Sequence, residues 1–269
     1  MLPPRVKTAA DLVTSRKATT QGFIAQAHAK VILANPHIED ALRLDRVLQA
    51  VNNPEDLVDK AEVRTLLVAA VGLSEKAVGH LSPQEQTRIV REGLREVHNY
   101  AGQHWKQQVL LRFALTRGDS LGGTSRNLAG ANAKDQFADA VLHALRSKGW
   151  NCSVEYATRG TRRVRSVSWN ERAMVFDRKP RIAGKNIDVI VLQTASSKSV
   201  QELLEDKNAY VACGEVKGGI DPAGADEHWK TAHSALERIR MTFGLQTPAL
   251  FFAGAAIETS MAREIVAQL

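Results

Sequence analysis

Residues 186–193 have the sequence NIDVIVLQ, and residues 210–217 have the sequence YVACGEVK. Both are short apolar runs rich in β-branched residues, which predicts two successive strands. Each run contains one carboxylate, Asp188 in the first and Glu215 in the second. Because side chains alternate along a strand, Glu215 and Lys217 should lie on one side of the sheet, with Val216 on the other.

These two strands supply the groups of a candidate metal site. A carboxylate among apolar neighbours is costly unless a cation pairs with it, and a metal ion is the obvious candidate. Asp188, Glu215 and the backbone carbonyl of Val216 offer the hard oxygen ligands that Mg²⁺ prefers. The ion would activate a water and stabilise charge on a phosphate, while Lys217 would hold that water. The alternative is a strand that ends in a solvated Glu–Lys pair, since Glu-x-Lys is common.

The residues after the Glu-x-Lys strand favour the first interpretation. Residues 218–232 have the sequence GGIDPAGADEHWKTA. Together with the strand, this segment closely resembles the AvaI/BsoBI family of type II restriction endonucleases, which are nucleases of the PD-(D/E)xK class. The resemblance covers about residues 117–240. It implies that the catalytic residues are Asp188, Glu215, Lys217 and His228, with Asp188 as the first metal-binding aspartate.

His228 lies near the start of the helix predicted after the glycine turn. A histidine in such a position commonly lies on the surface or makes an ordinary polar contact. Here only one tight turn separates His228 from Glu215 and Lys217. An imidazole within reach of the attacking water could accept or orient its proton. The family resemblance implies the same active-site role.

The candidates for DNA contact are Asp221 and a glycine-rich segment, and each has two interpretations. Asp followed by Pro is a good helix N-cap, but the resemblance implies a base contact for Asp221, since a carboxylate can accept from cytosine N4. The segment Asp119–Gly130 predicts a loop and is also similar to a family segment. Three of its residues are candidates for lining a DNA cleft, although such loops often only turn the chain: Ser120, Arg126 and Asn127.

The charge balance favours a polyanionic partner. The chain has 36 Lys and Arg residues against 29 Asp and Glu, which gives a net charge of +7. Binding to double-stranded DNA would release condensed counterions, although a merely basic protein has the same surplus. Two basic clusters could contact phosphates or protect exposed strand edges. Their members are Arg159, Arg162, Arg163, Arg165, Arg178, Lys179, Arg181 and Lys185.

Other function classes are disfavoured by the composition. The two cysteines, Cys152 and Cys213, are too few for a disulfide framework or a cysteine-rich metal site. The first residues lack the apolar run of a secretory signal, and no apolar run reaches the roughly 18 residues of a membrane span. We therefore expect a cytoplasmic protein with no membrane contact and no small-molecule cofactor.

The apolar spacing predicts a mixed α/β fold with two domains. Residues 1–116 should form a helical region that clamps DNA or forms a dimer, and residues 117–269 the PD-(D/E)xK core. Helices are predicted over Thr8–Leu33, Ala61–Val71, Ser82 to about Leu115, Lys134–Ser147 and Ala225–Met241. Strands are predicted over Cys152–Ala157, Arg163–Trp169, Asn186–Gln193, Ala209–Val216 and Ala249–Ala253. This order is typical of a central mixed sheet flanked by helices.

The sequence thus favours a type II restriction endonuclease that cuts both strands of DNA with Mg²⁺. The resemblance implies a C/G-containing palindrome of the C-Y-C-G-R-G type, which a homodimer reads most simply. One alternative is a PD-(D/E)xK repair or recombination nuclease that acts on DNA structure. The other is a catalytically inactive DNA-binding protein. The presence of Asp188, Glu215 and Lys217 together argues against the latter, since an inactive core usually lacks one of them.

Overall fold

The computed structural model describes residues 6–157, 163–194, 198–221 and 225–268. Its helices are α1 Arg16–Gln49, α2 Glu55–Val58, α3 Arg64–Ala70, α4 Glu75–Val78, α5 Pro83–Ala101, α6 Trp105–Ser147, α7 Val200–Leu203, α8 Ala225–Phe243 and α9 Thr259–Ala267. Its strands are β1 Cys152–Tyr156, β2 Val164–Trp169, β3 Arg172–Arg178, β4 Ile187–Gln193, β5 Tyr210–Lys217 and β6 Ala249–Gly254. No helix in these described ranges is long and apolar enough to cross a membrane.

The chain forms two units. The helical unit comprises Ala25–Ser125, and the sheet unit combines Met1–Ile24 with Arg126–Leu269. Both boundaries fall inside long helices, α1 and α6. The functional division predicted at residue 117 stays a prediction.

The helical unit has its own apolar core, in which the fully buried side chains include Leu44, Leu48, Leu57, Leu66, Leu67, Leu94 and Phe113. The predicted start of α5 is confirmed. Ser82 caps the helix by accepting from the Glu85 N–H at 3.3 Å, and Glu85 Oε2 accepts from the Ser82 N–H at 2.7 Å. The predicted continuation to Leu115 is wrong, because α5 ends at Ala101 and Gly102 adopts a positive φ of 52°.

Two other predictions for the helices need correction. The first helix begins at Arg16 and continues to Gln49, past Pro36. The predicted loop over Asp119–Gly130 is wrong, since α6 passes through it without a break. Each glycine costs a helix only about 1 kcal/mol relative to alanine. Buried positions on both sides of the segment, such as Phe113 and Ala138, stabilise the helix by packing.

The sheet unit contains the predicted mixed sheet. The six strands lie in the order β1-β2-β3-β4-β5-β6. Each successive pair from β1 to β5 is antiparallel, and β6 pairs with β5 in parallel. Five strands match the prediction to within one residue at each end. The sixth, β3, was not predicted. Its residues Ala173–Phe176 are all buried, so it lacks the alternation typical of a half-exposed strand.

Helices cover both faces of this sheet. On one face, Ile190 and Cys213 pack with Leu236 and Ile239 of α8. On the other, Val189 and Val216 belong to a cluster with the second half of α6, which includes Ala138, Leu142 and Leu145. The mixed α/β fold with a sheet flanked by helices is therefore confirmed.

Candidate active site

Asp188 is held between β5 and α6. The antiparallel register pairs Val189 with Gly214, which places Asp188 beside Glu215. Its Oδ2 atom accepts a hydrogen bond from the backbone N–H of Val216 at 3.0 Å, and its Oδ1 atom lies 2.9 Å from Lys134 Nζ. These contacts fix the orientation of the carboxylate.

Glu215 is a buried carboxyl group, with only 5% of its surface exposed. Its pKa is raised to about 7, mainly by burial and then by the charge and hydrogen bond of Asp188, against the opposing effect of Lys217. Lys217 Nζ lies 3.5 Å from Glu215 Oε2, so the two side chains share one side of β5, as predicted. A second cation near Glu215 would favour its ionised form.

Lys134 is a component of this cluster that the sequence did not predict. From α6 it forms ion pairs with both Asp177 and Asp188. Burial alone would lower the pKa of the ammonium, but the hydrogen bonds and negative charges of Asp177 and Asp188 together outweigh burial, and the net shift of the pKa is upward. Asp177 lies in β3 with φ 51°, opposite Asp188 in the β3–β4 register. The two carboxylates that Lys134 contacts therefore lie on neighbouring strands.

The glycine turn after β5 is packed so tightly that side chains are excluded. A β-carbon on Gly218 would overlap the backbone carbonyl of Ala129 in α6. A β-carbon on Gly219 would overlap Nε2 of His228. The imidazole of His228 therefore lies against the turn that follows Lys217, and the glycines allow this close approach.

A divalent metal ion at this cluster would have few protein ligands. Within residues 6–157, 163–194, 198–221 and 225–268 there is no group of three or more His, Cys, Asp and Glu side chains that could hold a metal. Mg²⁺ keeps several waters and commonly uses one or two carboxylates. The Lys134 ammonium lies between two carboxylates, and one of them, Asp188, is the expected metal ligand.

Arg126 and Asn127 line a cavity of about 600 Å³ beside this cluster. Lys134, Arg163, Arg165 and Arg178 also line it. The two residues were expected on a loop, but they project from α6. Arg159 and Arg162 of the predicted basic clusters lie outside the described residues.

The other two candidates for DNA contact are Ser120 and Asp221. Ser120 belongs to the helical unit, where its hydroxyl donates to the Thr116 carbonyl at 3.2 Å. Asp221 is exposed, and α8 begins four residues later at Ala225. The structure therefore brings together Asp188, Glu215 and Lys217, and brings His228 against the adjoining turn.

A comparison with known protein families shows which family the chain belongs to. The family model described as restriction endonuclease BsobI matches residues 4–269. The chain belongs to the BsobI restriction endonuclease family. The resemblance first noted over residues 117–240 is thus confirmed, and the family match also includes the helical unit.

Individual members of the family are similar over nearly the full chain. Two proteins named type II restriction enzyme AvaI, from Nostoc sp. and Anabaena variabilis, are each 38% identical over 277 residues, which is 96% of this chain and 88% of theirs. The type II restriction enzyme BsoBI of Geobacillus stearothermophilus is 33% identical over 286 residues, covering 98% of this chain and 88% of its own.

The sequence did contain a signal for Lys134. It precedes Ala138, Leu142 and Leu145 by four, eight and eleven residues, so it shares the buried face of the helix. A lysine on such a face needs a partner. No comparable local signal marks Asp177, because β3 itself was not predicted.

Proposed function

We propose that this protein is a type II restriction endonuclease that cleaves both strands of duplex DNA by Mg²⁺-dependent phosphodiester hydrolysis. The observation that carries the proposal is the cluster of Asp188, Glu215 and Lys217, where β4 begins and β5 ends, in a chain of the BsobI family. The products would be ends with 5′-phosphate and 3′-hydroxyl groups.

Asp188 and Glu215, with the carbonyl of Val216, would hold the metal ion. When bound, Mg²⁺ would polarise the scissile phosphate and make a water more nucleophilic at neutral pH. Asp188 is oriented for this task by the Val216 N–H. Glu215 must be ionised to serve as a ligand, and Lys217 favours that form by its positive charge.

Lys217 and His228 would orient the attacking water and accept its proton. The ammonium of Lys217, beside Glu215, would orient the water and offset the negative charge that develops on the phosphate. The imidazole of His228, held against Gly219, would accept or steer the proton that the water loses.

DNA binding would rest on the basic character of the chain and on the cavity beside the cluster. The net charge of +7 and the arginines of the cavity favour phosphate contacts. Asp221 is our candidate for a base contact, to cytosine N4 of a C/G-containing palindrome of the C-Y-C-G-R-G type. Reading such a site favours a homodimer, with the helical region in DNA clamping or dimerisation.

The test is digestion of a sequenced plasmid in Mg²⁺, followed by run-off sequencing of the ends. We expect discrete fragments whose ends share one short palindrome, and no cleavage when EDTA replaces the metal. Cleavage of branched substrates alone would support a repair or recombination nuclease instead. Binding without cleavage under every metal condition would support an inactive DNA-binding protein.

A further inference from the structure

The ammonium of Lys134 occupies a position between two carboxylates of the sheet. Its Nζ atom lies 2.9 Å from Asp188 Oδ1 and forms a second ion pair with Asp177 Oδ1. Lys134 and Asp188 are largely buried, with 18% and 14% of their side chains exposed, whereas Asp177 is 57% exposed. A lysine thus neutralises the aspartate that is expected to bind the metal.

We propose that Lys134 is a built-in counter-cation that competes with the divalent metal ion for Asp188. This inference rests on the proposed function, because it takes Asp188 as a metal ligand. It assigns Lys134 a regulatory role: the ammonium stabilises the DNA-free protein and keeps its affinity for the metal ion low.

The two oxygens of Asp188 explain why competition is expected. Oδ2 accepts from the Val216 N–H, so Oδ1 is the oxygen without a backbone partner, and Lys134 contacts this atom. A divalent cation at Oδ1 would approach a positive charge in a partly buried site, where repulsion is poorly screened. The ammonium must therefore move away from Asp188, or the metal must bind against its repulsion.

Asp177 and the adjoining cavity give Lys134 a place to move. Asp177 is more exposed than Asp188 and would still neutralise Lys134 after Asp188 is released. The cavity lined by Lys134, Asp177 and Arg126 also leaves space for a DNA phosphate, a second anion that would stabilise the displaced ammonium. Metal binding would then be favoured when DNA is present.

The test measures binding of Mn²⁺ to the DNA-free full chain by calorimetry, with free Mn²⁺ counted by electron paramagnetic resonance. Lys134→Gln should bind Mn²⁺ about tenfold more tightly or better, because a nearby positive charge is removed. Its metal-free melting temperature should fall, since two carboxylates lose their partner, and Mn²⁺ should restore it. Lys198→Gln is the matched control, because it breaks an exposed ion pair with Asp206, and it should bind as the wild type does.

A second variant separates competition from a general loss of packing. Asp177→Asn also breaks the Lys134–Asp177 ion pair, but it keeps the ammonium, which then pairs with Asp188 alone. It should therefore bind Mn²⁺ more weakly than the wild type, opposite to Lys134→Gln. Equal or weaker binding by Lys134→Gln, or equal or tighter binding by Asp177→Asn, would overturn the proposal.

Asp188→Asn distinguishes this failure from failure of the proposed function. If Mn²⁺ binding depends on Asp188 but not on Lys134, only the competition is refuted. If Asp188→Asn does not abolish Mn²⁺ binding in either the wild type or Lys134→Gln, Asp188 is not a metal ligand. The metal assignment is then refuted, and the competition with it.

Discussion

Glu215 is a carboxyl group whose proton should control metal binding. Its pKa is raised to about 7, first by burial and then by the neighbouring charge of Asp188. The folded protein therefore retains a proton that the unfolded chain loses at lower pH, and this contribution to stability declines as pH rises from about 4.5 to about 7. The affinity for the metal ion should instead rise over the same pH range, because only the ionised form of Glu215 is a good ligand.

We expect Glu215→Gln to make the metal-free protein more stable above pH 7, by at least about 1 kcal/mol, since no buried charge is then required. Below pH 5 the variant and the wild type should have similar stability. Denaturant unfolding at several pH values, in EDTA, measures both. An identical pH dependence in the two proteins would show that Glu215 keeps an ordinary pKa.

His228 should modulate the reaction rather than create the site. Its imidazole lies against Gly219, beside the turn that follows Lys217. His228→Ala should slow single-turnover cleavage by roughly 100-fold, the range typical of losing a general base. Folding and DNA binding should be retained. An unchanged rate would mean that His228 does not take part, and Lys217 alone would then act on the attacking water.

At the scale of elements, the two turn glycines should differ in effect although they are adjacent. An added methyl group at Gly218 meets the backbone of Ala129, which cannot rotate away, so Gly218→Ala should destabilise the fold by about 1–3 kcal/mol. At Gly219 it meets the His228 side chain, which can turn aside. Gly219→Ala should therefore lower the cleavage rate with little change in melting temperature.

The double variant Gly219→Ala/His228→Ala provides the control. If displacement of the imidazole is the whole effect of the methyl group, the double variant should cleave no more slowly than His228→Ala. Additive losses would mean that Gly219 acts by another route. Thermal melts of all four proteins show which variants remain folded.

Features set by neighbouring residues in the chain could be predicted from the sequence, whereas features set by tertiary packing could not. The acid-bearing strands β4 and β5 are local apolar runs, and both were predicted to within a residue. The helix through Asp119–Gly130 was missed because its glycines suggest a loop, whereas packing on both sides stabilises α6. The pairing of Lys134 with Asp177 joins residues 43 apart in the chain, and no local pattern indicates such a contact.

At the scale of the whole molecule, the charge surplus and the palindromic site predict how the protein should bind DNA. A net charge of +7 should give a steep fall of log K with log salt. The protein should sediment as a homodimer, both free and on a cognate duplex. A monomer in both conditions would contradict the dimer, and a flat salt dependence would contradict extensive phosphate contacts.

The central claim is that Asp188 and Glu215 together hold the metal ion that supports cleavage. The most direct measurement is single-turnover cleavage of one cognate duplex in Mg²⁺ by the wild type, Asp188→Ala and Glu215→Ala, with DNA binding measured in Ca²⁺. We predict that both variants lose detectable cleavage and still bind the duplex, with equal or higher affinity because a negative charge near the phosphate is gone. Near wild-type cleavage by either variant in Mg²⁺ would contradict the account.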